Sequence, residues 1–101
     1  MSVKIKRGAT LRVVLELTAE EWARVYPWQS IRAEAQNGAV EHELTVTVDD
    51  VARTITLTAS TQPMALAKYK YDVRMEYASG ESVFLPADTV LGFEVIEGVT
   101  E

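Results

Sequence analysis

The chain contains no cysteine, so neither a disulfide framework nor a thiolate metal site can hold it together, and stability must come from packing. It lacks the roughly 20 consecutive apolar residues that a membrane-spanning helix needs. Its first residues, Met1 to Gly8, carry charge but no apolar signal segment, so synthesis in a cytoplasm is expected. Histidine occurs once, as His42. It falls at an inward position of an alternating segment, away from any Ser or Asp partner, which points to a satisfied structural histidine rather than a general base. No glycine-rich phosphate loop, paired-carboxylate cleft or nucleophile elbow is present. Asp49-Asp50 is read as a turn, where Asp serves backbone hydrogen bonding, and it lacks the further oxygen ligands of a calcium loop. No catalytic residue, cofactor or metal is therefore expected, and the chain is expected not to be an enzyme.

Basic charge is also scarce. The net charge of −5 would repel a phosphate backbone, so nucleic acid is not an expected partner. The basic residues gather only at Lys4, Lys6 and Arg7, which suits a solvated edge strand protected by its charges from pairing with strangers.

What the chain has is alternation. With 101 residues, 48% apolar and 25% charged, it is expected to fold as one domain over residues 1–101 with a single core. From Lys68 to Tyr77 the residues Tyr69, Tyr71, Val73, Met75 and Tyr77 face one way and Lys68, Lys70, Asp72, Arg74 and Glu76 the other, the pattern of a strand with one buried face. Leu11, Val13, Leu15 and Leu17 alternate in the same manner, after a break at Gly8 where the strand is expected to bend and change sheets.

Thr18-Ala19-Glu20-Glu21 reads as a capping box and predicts a short helix over residues 19–26, with Trp22 and Tyr26 on one face and Pro27 as its stop. Strands follow at Ser30–Gln36 and Val40–Val48, joined by an Asn37-Gly38 hairpin. Val40, His42, Leu44, Val46 and Val48 are read as inward. Ile55, Leu57 and Ala59 continue beyond Asp49-Asp50, completing a meander. Thr61-Gln62-Pro63 reads as a capped start to one helical turn over Met64–Ala67. Ser79-Gly80 turns the tyrosine strand onto Ser82–Leu85, which Pro86 ends. The last strand is placed at Thr89–Ile96, before a tail of Gly98–Glu101. Seven to eight short, mostly antiparallel strands with one helix predict an all-β, Ig-like β-sandwich. Val46, Leu57, Val73 and Phe93, each central in its strand, are expected to share the core.

The tyrosine row reads as core with hydroxyls at the rim. Trp22 and Trp28, around the helix exit, read either as a plug for the sandwich end or as anchors for a partner.

The order Arg7-Gly8-Ala9-Thr10 before an apolar strand, Ser30-Ile31-Arg32-Ala33-Glu34, a threonine-rich hairpin, Lys68-Tyr69-Lys70-Tyr71-Asp72-Val73, Ser79-Gly80, and Val95 with Val99-Thr100 resembles small Ig-like structural proteins of tailed-bacteriophage virions. Ala9 stands where such proteins often carry an acidic residue, and the helix replaces a loop. The resemblance implies a phage or prophage structural or accessory protein of the virion's neck, tail or baseplate, present in several copies and bound to other virion proteins. It supplies no catalytic residue. Contact residues expected from the sequence are Lys4, Lys6, Arg7, Trp22 and Trp28, with strand edges at Lys4–Arg7 and Ser82–Leu85. The rival readings are a carbohydrate- or receptor-binding module using Trp22 or Trp28, and a hydrolase accessory domain using His42.

Overall fold

Alternation becomes strand almost wherever the sequence carries it. The computed structural model describes residues 3–86 and 91–98. Its elements are β1 (Val3–Lys6), β2 (Thr10–Glu16), α1 (Ala19–Val25), β3 (Ser30–Asn37), β4 (Val40–Asp49), β5 (Thr54–Ser60), β6 (Lys68–Glu76), β7 (Ser82–Leu85) and β8 (Leu91–Ile96). Among the described residues the fold is all-β with one short helix. The expected strand start at Thr89 and the tail beyond Gly98, including Val99-Thr100, lie outside the described residues.

Hydrogen-bonded neighbours run β1-β8-β6-β3-β4-β5-β2, with β7 added to β6. All pairs are antiparallel except β1 and β8, which run parallel with Val3 beside Phe93 and Lys6 beside Ile96. The meander β3-β4-β5 is present, and β4 divides its length between its two neighbours. Val40 to Leu44 pair with β3 and Thr45 to Asp49 pair with β5. On β6, one side is taken by β3, while the other is shared by β8, at Lys68 to Tyr71, and β7, at Val73 to Glu76.

At Gly8 the chain leaves β8 and joins β5. Gly8 has φ +100°, a conformation that L side chains rarely take. The bend is clasped by Thr61, which is fully buried. Its Oγ1 accepts from the Gly8 N–H at 2.9 Å and donates to the Ala9 carbonyl at 2.6 Å. This overturns the helical turn expected after Thr61: residues 61–67 form turns and bends. The hydroxyl that would have capped a helix is spent on the crossover instead.

One cluster unites both halves of the pairing path, with Leu11, Ala33, Ala35, Leu44, Ile55, Leu57, Tyr69, Val73, Met75, Phe93 and Val95 among its buried members. Leu57, Val73 and Phe93 are buried as expected, whereas Val46 is only half-buried at the margin. It lies just past the point where β4 passes from β3 to β5. Val40, read as inward, is 51% exposed, because it sits against the hairpin where the core has run out. That hairpin turns on Gly38 (φ +58°) and Ala39. Asn37 is the last residue of β3, and its side chain donates to the Lys68 carbonyl at 2.8 Å. Asp49 does cap its turn, accepting from Val51 and Ala52 N–H at 3.0 Å each.

Candidate contact surfaces

The capping box forms as the sequence predicts. Thr18 Oγ1 accepts from the Glu21 N–H at 3.1 Å and Glu21 Oε1 accepts from the Thr18 N–H at 2.9 Å. That backbone hydrogen bond, with the hydroxyl's own, holds the Glu21 carboxyl below its usual range, since both favour the ionised acceptor. The helix so started runs to Val25, which is buried, and places Trp22 and Tyr26 in a stack with centroids 5.5 Å apart. Trp28 meets both edge-on, at 5.6 and 5.5 Å. Trp22 and Trp28 are half-buried against the core while Tyr26 is 49% exposed. The two tryptophans thus pack partly against the core, and the tyrosine stacked on Trp22 is the most exposed of the three rings.

Tyr77 ties this end to the sheet. Its hydroxyl donates to the Val25 carbonyl at 2.7 Å, and Tyr69 likewise donates to Ala65 at 2.9 Å; Tyr69 and Tyr71 are core residues, whereas Tyr77 is half-buried against the core. Burial raises the Tyr71 phenol above its ordinary value, and burial together with the Glu81 charge raises Tyr77. A phenol raised in the folded state contributes stability that is complete below its unfolded value and is lost as pH climbs through the folded one. Urea midpoints are thus expected to fall as pH rises beyond 10.0, the ordinary tyrosine value, and the fall should be shallower in a Tyr71→Phe, Tyr77→Phe double variant. An equally steep fall in that variant would assign the alkaline loss to other groups.

His42 is placed at the inward parity predicted for it, half-buried on β4 with its ring edge-on to Tyr69 at 5.7 Å. It is not satisfied as expected: Nε2 is buried without a hydrogen-bond partner among the described residues. The ring is a packing element here.

Among the described residues β1 pairs only with β8 and β7 only with β6. Lys4 and Lys6 are exposed. Arg7 is exposed but tethered, its Nε donating to the Gln62 carbonyl at 3.1 Å and its N–H to Ile96 at 2.8 Å. The structure does not bring these residues together with Trp22 and Trp28 into one site.

A third surface is absent from the sequence reading. The outward residues of β3, β6 and β7 line a shallow groove that includes Arg32, Glu34, Asp72, Arg74 and Phe84. Arg32 lies directly opposite Arg74, and Glu34 directly opposite Asp72. Glu34 also lies opposite Glu43 of β4. Glu76 approaches both arginines at 3.6 Å, and the Arg74 guanidinium lies 5.8 Å from the Phe84 ring centre. No ion pair joins Glu34, Glu43 or Asp72 to a basic side chain among the described residues. Partial burial raises the Asp72 carboxyl.

No family model matches the chain, and no curated protein matches it in sequence. Solved structures share its fold. InlP of Listeria monocytogenes superposes with a TM-score of 0.59 at 20% identity, over 95% of this chain and 26% of that one. An internalin-like protein of the same bacterium gives 0.53 at 16% identity, over 96% of this chain and 27% of its own. The chain thus spans about a quarter of the length of each, and the likeness is one of fold.

Proposed function

We propose that the chain is a non-enzymatic, Ig-like β-sandwich module that works by protein–protein contact. The strand order supports the sandwich: β4 is shared between two groups of strands, and the buried residues of both groups enter one cluster, as two inner faces packed on each other would. The observation that carries the contact reading is β1, hydrogen-bonded to β8 on one side and carrying exposed Lys4 and Lys6. A strand edge offers a neighbour unpaired backbone groups, with charged side chains to select it. A multi-copy role in a phage virion, among other virion proteins, rests on the resemblance in Arg7–Thr10 and Lys68–Val73. In such a setting repetition makes individually weak contacts sufficient.

The test substitutes Lys4→Glu and Lys6→Glu, sparing the tethered Arg7, and follows co-sedimentation with assembled particles. Incorporation is expected to fall while the isolated domain keeps its melting curve. Full incorporation would remove this edge from the contact surface. The exposed Tyr26 beside Trp22 and Trp28 favours a second reading, a carbohydrate- or receptor-binding module. Glycan binding abolished by Tyr26→Ala would favour it over assembly, and hydrolysis of a glycan or peptide lost in His42→Ala would overturn the non-enzymatic reading.

A further inference from the structure

Like charges placed directly opposite on neighbouring strands destabilise a sheet, yet the outward face of β3 and β6 carries two such pairs in succession. Arg32 faces Arg74, and two residues along the strands Glu34 faces Asp72. The two rows are about 7 Å apart, the rise of two extended residues. Glu76 lies near both guanidinium groups, whereas the acidic row, which Glu43 extends onto β4 and Lys70 flanks two residues along β6, has no ion pair among the described residues.

We propose that this face is a self-complementary dimer surface, occupied by a second copy of the same chain. Consider a two-fold axis lying between the two copies, perpendicular to the strands and midway between the rows. Rotation about it leaves each strand over its own counterpart and exchanges the rows. Arg32 of one copy then meets Glu34 of the other, and Arg74 meets Asp72. The reciprocal contacts follow by symmetry, as an isologous interface requires. An axis parallel to the strands would instead set like against like, so the charges choose the orientation as well as the partner. The proposal concerns the isolated protein and goes beyond the edge contacts of β1.

Sedimentation velocity on the purified chain tests it. At low salt, from micromolar to millimolar concentration, a dimer is expected, weakened roughly tenfold or more near 1 M salt, where the screening length is about 3 Å. Two double variants, R32E/R74E and E34R/D72R, are each expected to be monomeric, with circular dichroism and cooperative melting verifying the fold. Mixed together, they are expected to form a one-to-one heterodimer, because the four exchanged positions are then all acidic on one copy and all basic on the other. General attraction does not explain such recovery, since the changes move the net charge from −5 to −9 and −1, both negative. A wild-type chain that stays monomeric at millimolar concentration, variants that remain dimeric alone, or folded variants that ignore each other would each overturn the proposal. Its failure would leave the β1 reading standing, because that is tested on Lys4 and Lys6.

Discussion

Replacing Phe93 with alanine is expected to remove about 3–5 kcal/mol of stability, the largest loss from any single truncation considered for this chain. Phe93 is 1% exposed, stacks on Tyr69 with centroids 5.3 Å apart, and meets Tyr71 at 5.7 Å. It also stands in register between Val3 of β1 and Tyr69 of β6. Truncation would leave a cavity walled by the Tyr69 and Tyr71 rings, of which Tyr69 is anchored through its hydroxyl on Ala65 and cannot swing in to fill it. Domains of this size have about 5–15 kcal/mol in total, so a large fraction of the margin is at stake. Urea unfolding checks this, with Val14→Ala as the control, because Val14 is 44% exposed. A midpoint in Phe93→Ala no lower than in the control would mean that β8 does not pack as described.

The second large effect is expected at Thr61, where valine keeps the shape and deletes the hydroxyl. The Gly8 N–H would lose the acceptor it has at 2.9 Å, and the Ala9 carbonyl its shorter donor. Gly8 is an exposed residue and this hydrogen bond is part-buried, so leaving its donor unsatisfied costs toward the low end of about 1–3 kcal/mol, and a lost hydrogen bond costs about 1 kcal/mol. The Thr61 N–H remains 3.3 Å from the Ala9 carbonyl, so that oxygen is not orphaned, and the net loss expected is about 2 kcal/mol. Thr61→Ser keeps the hydroxyl and should recover most of it. Equal stability of Thr61→Val and wild type would detach the clasp from the energetics of the crossover.

Thr61 also marks the boundary of what the sequence discloses. The alternation of Lys68 to Glu76 and the Thr18 to Glu21 box are local, and both are present as read. Thr61 shows an equally plausible local cap signal, but its true partners are more than 50 residues away at Gly8 and Ala9, and no window on the chain contains them. The shallower burial of Val46, which still packs against the core, has the same origin. Its parity is right, but its depth depends on where β4 changes neighbours. The contact surface divides likewise: Lys4, Lys6 and the aromatic residues around Trp22 can be picked out one by one, whereas the charge rows exist only once Arg32 is in register with Arg74. A shift of one residue would have turned those side chains inward.

The parallel pairing of β1 with β8 decides how the domain would bear a mechanical load. The chain enters this pair at Val3, beside Phe93, and leaves it at Ile96, beside Lys6. A pull on the two flanking segments therefore drags the strands past one another along their length. Under such shear the evenly spaced hydrogen bonds of a parallel ladder share the tension and yield together, whereas peeling would break them one at a time. The domain is thus expected to resist stretching between its ends more strongly than its small size and lack of disulfides would suggest.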